Sequence, residues 1–109
     1  MNNFKNKNYV ISGASSGIGF AITNNILQNG GNVLITGKNI KKLNKSYSEL
    51  KKKFENISIL KHGGDLNDEN IYKSINVLLK KQKWLKIAGI IANAGKLNTK
   101  KNNLKKENI

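Results

Sequence analysis

Glycines at positions 13, 17 and 19 lie in the stretch Val10-Ile11-Ser12-Gly13-Ala14-Ser15-Ser16-Gly17-Ile18-Gly19-Phe20-Ala21-Ile22, between a short apolar run and an amphipathic pattern. Without a Cβ, glycine tolerates φ > 0 and lets another group approach the backbone closely. A strand that turns sharply there aims the unpaired N–H groups of a helix start, with their partial positive charge, at one point. That point is an anion site, most naturally for a phosphate or pyrophosphate. A P-loop would need Gly-x4-Gly-Lys-Ser/Thr, and no lysine follows these glycines before Lys38, which argues against a nucleoside triphosphatase. The common dinucleotide fingerprint is Gly-x-Gly-x-x-Gly. Here the order is Gly-x3-Gly-x-Gly, which changes the spacing and keeps the mechanics.

Few other residues offer chemistry. The absence of cysteine excludes disulfides, thiolate ligands and cysteine nucleophiles, and a single histidine, His62, argues against a histidine metal site. No apolar run approaches the roughly 18 residues of a membrane helix. Residues 1–7 lack the apolar segment of a signal peptide, so the expected location is cytoplasmic. The formal charge of +14 invites a nucleic-acid reading. All 20 basic residues are lysine, however, whereas bidentate recognition of guanine or phosphate favours arginine. Lysine, asparagine and isoleucine make up 53 of the 109 residues, a bias that A/T-rich codons would produce in any protein, so no specific nucleic-acid partner is expected.

The elements that must position the glycine turn follow from periodicity. Residues 8–12 read as a strand that is apolar on both faces. From Gly17, the residues Ile18, Ala21, Ile22 and Ile26 recur at helical spacing until Gly30-Gly31. Residues 32–36 form a second strand, and Ile40, Leu43, Tyr47, Leu50 and Phe54 line a second helix. Residues 57–60 form a third strand. Ile71, Ile75, Leu78 and Leu79 line a third helix that begins near the acids Asp68 and Glu69. A fourth strand spans about residues 85–92. This βαβαβαβ order implies an α/β fold, a doubly wound parallel sheet with right-handed crossovers. Ligands bind such sheets outside the carboxyl ends of the strands. Residues 13–19, Gly37-Lys38, Gly64-Asp65-Leu66 and Asn93-Ala94-Gly95 would therefore meet in one site.

On these residues the chain resembles the short-chain dehydrogenases/reductases. Ser12-Gly13-Ala14-Ser15-Ser16-Gly17-Ile18-Gly19 is similar to the family's Thr-Gly-x3-Gly-Ile-Gly motif, with serine in the threonine position. Asn93-Ala94-Gly95 is similar to Asn-Asn-Ala-Gly, with Ala92 replacing the first asparagine, and Asp65-Leu66 matches the acidic position after the third strand. The resemblance covers about residues 5–95 and implies a Rossmann-like sheet and hydride transfer between a nicotinamide cofactor and a carbonyl/hydroxyl pair. It also implies roles for particular residues. The backbone around Gly13, Gly17 and Gly19 would hold the pyrophosphate with Ser15 assisting, and Ser12, Ser16 and Ile18 would belong to the same cofactor-binding turn. Asp65 would accept from the adenine amino group while Leu66 packs on the ring, and Asn93, Ala94 and Gly95 would line the ribose and nicotinamide side. NAD-selective dehydrogenases place a carboxylate near the end of the second strand. No residue before Glu49 is acidic, and Lys38 stands there instead, so NADP(H) is expected over NAD(H).

In the family, a serine and a Tyr-x3-Lys relay lie beyond the fourth strand, and no residue of this chain matches them there. Tyr47-Ser48-Glu49-Leu50-Lys51 has the Tyr-x3-Lys spacing, but Tyr47 belongs to the apolar stripe of the second helix. The expectation is an N-terminal portion of an NADP-dependent oxidoreductase, truncated after the fourth strand, that binds cofactor without catalytic residues and holds no metal. Residues 1–95 would be part of a dinucleotide-binding domain, and residues 96–109, with five lysines and one acid, a tail or the start of another helix. The substrate would be a small carbonyl or alcohol. The full-length protein would be a homo-oligomer and the portion alone aggregation-prone, through an exposed fourth strand. The alternatives are a stand-alone dinucleotide-binding module and a basic nucleic-acid-binding protein.

Overall fold

Alternating apolar residues place one core on each side of a single sheet in the computed structural model, which describes residues 4–15, 17–66 and 68–92. The elements are β1 (Asn8–Ser12), α1 (Gly17–Gln28), β2 (Asn32–Gly37), α2 (Ile40–Lys53), β3 (Ile59–Gly63), α3 (Glu69–Lys81) and β4 (Gly89–Ala92). The strand order is β3-β2-β1-β4, and every pair is parallel. Along β1, Ile11 joins Val33 and Ile35 of β2 against Ile26 and Leu27 of α1 and Leu43 and Leu50 of α2. Its neighbour Val10 faces the other way, with Leu34, against Tyr72, Ile75 and Leu79 of α3. Two helices therefore cover one face and the third helix the other, the doubly wound arrangement expected from the element order.

Helices α2 and α3 begin on side-chain caps: Asn39 accepts from the Lys42 N–H at 3.1 Å, and Asp68 accepts from the Asn70 N–H at 3.0 Å. Lysines fill their last turns, where the helix dipole favours positive charge. At the opposite edge of the sheet, the Asn32 side chain donates to Asn8 and the Asn8 side chain to the Lys86 carbonyl, both at 3.0 Å. These bonds clamp β2, β1 and the approach to β4 in register.

Three expectations are corrected. The buried face of α1 is Gly19, Thr23, Ile26 and Leu27, while Ile18 is 69% exposed. Gly19 and Thr23 form this face because the Thr23 hydroxyl is satisfied by the Gly19 carbonyl, at 2.8 Å, and so buries without a polar penalty. Strand β3 starts at Ile59, opposite Val33, and continues through Lys61 and His62 to Gly63. Strand β4 starts at Gly89: Trp84 and Ile87 are buried under α3, but residues 84–88 are not in strand and Leu85 is 74% exposed.

Candidate functional site

The carboxyl ends of β1, β2 and β3 are joined by their glycines. Gly13 leaves β1 with φ 67° and Gly17 starts α1 with φ 55°, both in the left-handed region that a side chain disfavours. The Gly13 N–H donates to the Thr36 carbonyl at 3.3 Å, so the turn after β1 is tied to the end of β2. The Gly64 N–H, in turn, donates to the Gly37 carbonyl at 2.9 Å, tying the loop after β3 to the same strand end. A Cβ placed on Gly37 would lie 3.6 Å from the Ser15 hydroxyl oxygen, which sets how closely the first turn passes the second strand.

A further support comes from α2. The buried Ser46 hydroxyl donates to the Ser15 carbonyl at 3.4 Å and anchors the middle of the turn from below. Sequence reasoning passes over Ser46, yet its signal is present: a small polar residue on the apolar stripe, between Leu43 and Leu50.

No acidic residue occupies the first turn of α1, so its orphan N–H groups meet no carboxylate of their own helix. A Cβ on Gly17 would meet nothing within 4 Å, so the space beside the helix start is open. Lys38, directly after β2, extends to Asp65 after β3, with Nζ 3.3 Å from Oδ2. Both are accessible, with side chains 72% and 37% exposed, and an ion pair of this kind contributes about 0–1 kcal/mol. Behind Asp65 lies Tyr72, fully buried; desolvation, and then the Asp65 charge, raise its pKa above the ordinary 10.0.

The residues singled out by the sequence fall as follows. Gly13, Ser15, Gly17, Lys38 and Asp65 are brought to one edge of the sheet by the contacts above. Ser12 ends β1, and its hydroxyl reaches the Ile91 carbonyl of β4 at a long 3.5 Å. Ile18 and Gly19 open α1, one exposed and the other buried. Leu66 is 4% exposed, packed into the core beneath α3. Ser16, Asn93, Ala94 and Gly95 lie outside the described residues. Tyr47 packs along the α1–α2 face with Lys61 Nζ 4.6 Å from its ring centre, on the opposite side of the sheet from α3. Among the described residues there is no cluster of histidine and acidic side chains suited to a metal ion, and no helix long and apolar enough to cross a membrane.

A short chain dehydrogenase family model matches residues 7–109. Among solved structures, the chain is similar to a short-chain type dehydrogenase/reductase from Mycobacterium ulcerans, at 23% identity and a TM-score of 0.73, covering 85% of this chain and 34% of that one. It is also similar to the L-sorbose reductase of Gluconobacter frateurii complexed with NADPH and L-sorbose, at 24% identity and a TM-score of 0.74, covering 88% and 36%. An NAD+-bound xylitol dehydrogenase aligns at 20% identity with a TM-score of 0.73, covering 86% and 35%. At these identities the likeness to solved structures is one of fold. The chain spans about a third of the length of each. No curated protein matches it significantly.

Proposed function

The chain belongs to the short-chain dehydrogenase family, and on that premise we propose that its strand ends form the dinucleotide site of an oxidoreductase acting on a carbonyl/hydroxyl pair, with NADP(H) preferred. A nicotinamide cofactor supplies hydride transfer when bound; this chain's residues bind and orient it. The donor set fits a pyrophosphate: Gly13 and Gly17 hold left-handed backbone, the space at Gly17 is open, and the start of α1 carries no acid. Ser12, Ser15, Ile18 and Gly19 belong to the same turn, and Asp65 is assigned to the adenine end; the Leu66 side chain, packed in the core, leaves its backbone and not its side chain for that end. The family motif assigns Ser16 to the pyrophosphate and Asn93, Ala94 and Gly95 to the nicotinamide side.

Lys38 carries the preference for NADP(H). It follows β2 directly, one residue past the position where an NAD enzyme places an acid, where a 2′-phosphate needs a cation. The similar structures divide on this point, one having been solved with NADPH and another with NAD+, so the reading rests on the local charge at Lys38. Titration of the chain with NADP and NAD tests it. Lys38→Ala is expected to weaken NADP about five- to tenfold and leave NAD within about twofold, the upper range of an ordinary net hydrogen bond, as suits an exposed lysine. Equal or tighter NAD binding by the unmodified chain would overturn the preference.

A further inference from the structure

A carboxylate does stand near the end of β2, but it comes from another strand. Asp65 belongs to the loop after β3, and the bond from the Gly64 N–H to the Gly37 carbonyl, 2.9 Å, sets that loop against the residue preceding Lys38. The 3.3 Å ion pair thus joins the residues that directly follow the two partners of that backbone bond. Its members are exposed enough to exchange partners. An entering 2′-phosphate has to draw Lys38 from Asp65, or share it, while lying close to a like charge. A dinucleotide with a free 2′-hydroxyl meets neither cost.

We propose that Asp65 is a specificity-determining residue that acts through Lys38, its carboxylate competing with the 2′-phosphate for the lysine ammonium and so holding the site below the NADP selectivity that Lys38 alone would confer. This rests on the assignment of Lys38 to the 2′-phosphate made above. It adds that selectivity is set by a pair contributed by two loops, 27 positions apart in sequence, in which the acid opposes the base.

The test compares Kd for NADP and for NAD in the whole chain and in Asp65→Asn, Lys38→Ala and the double variant. The ratio of the two constants cancels every contact the dinucleotides share, including any contact of Asp65 with the adenine. Asp65→Asn is expected to raise the preference for NADP about two- to fivefold, the scale of an exposed ion pair. In the Lys38→Ala background the same change is expected to have a smaller effect. Asp65→Ser, which removes the charge with a different shape, should shift the ratio in the same direction and stands in if the asparagine variant does not fold. A ratio unchanged or lowered by loss of the carboxylate, in protein that still melts cooperatively, would overturn the proposal. If Lys38→Ala leaves the ratio unchanged, the assignment of Lys38 to the 2′-phosphate fails. If Lys38→Ala lowers the ratio but Asp65→Asn does not raise it, only the role of Asp65 fails.

Discussion

Tyr72 places a fully buried ring under the sheet with a hydroxyl that has no hydrogen-bond partner among the described residues. A buried hydroxyl without a partner costs free energy, and removing it along with its polarity is close to neutral or stabilising. Tyr72→Phe is therefore expected to keep or raise stability at neutral pH, by up to about 1 kcal/mol. The pH dependence follows from the raised pKa, caused by burial and then by the Asp65 charge. The folded chain retains a proton that the unfolded chain releases near the ordinary value of 10.0. Stability from this source is thus complete below that pH and falls as pH climbs through and beyond it. Thermal melts of both proteins at stepped pH, from neutrality to alkaline, check this: the phenylalanine variant should lose less stability in the alkaline steps, and equal losses would show that Tyr72 stays neutral in both states or ionises in both.

At the scale of elements, the two members of the Lys38–Asp65 pair each stand just ahead of a capped helix, Lys38 before Asn39 of α2 and Asp65 before Asp68 of α3. The caps thus hold the loops that hold the charges. Loss of an N-cap side chain costs about 1 kcal/mol, or roughly 4–8 °C in a domain of this size. Asn39→Ala should lower the melting temperature by about that amount, and calorimetry checks it; an unchanged melt would mean that Lys42 N–H finds water equally well. Local patterns made much of this architecture legible. The apolar run of β1, the glycines and the spacing from Gly17 have the same meaning wherever they occur, and the structure starts and ends β1 as the sequence predicts and starts α1 at Gly17. The face of α1 was not legible, because Thr23 buries through a bond to its own helix that hydrophobicity does not record. Nor was the start of β4, since burial of Ile87 under α3 has the same apolar signature as strand pairing. The sequence brings the Gly37-Lys38 and Gly64-Asp65 loops to one edge of the sheet, but the Lys38–Asp65 ion pair itself could not be read, because it depends on the register of β2 against β3.

Over the whole molecule, two edges and one net charge compete. Strands β3 and β4 flank the sheet, each with one neighbour among the described residues. β3 carries the exposed Lys61, whose ammonium bonds Asn44 at 2.8 Å, and a lysine on an edge discourages pairing with another chain. The four residues of β4, Gly-Ile-Ile-Ala, carry no such charge. Opposing any contact there is the formal charge of +14. At about 0.01 M salt the Debye length is about 30 Å, comparable with the 34 × 31 × 23 Å extents, so two copies repel as whole bodies. At about 0.15 M it falls to about 8 Å, and repulsion no longer reaches across the molecule. Self-association is therefore expected to rise with salt, opposite to an association driven by charge pairs. Ala92→Lys, at the exposed end of β4, should weaken it with little change in melting temperature. Sedimentation velocity across a salt series reads both effects. Association that falls with added salt would place the contact on charged surface, and association indifferent to Ala92→Lys would move it away from the β4 edge.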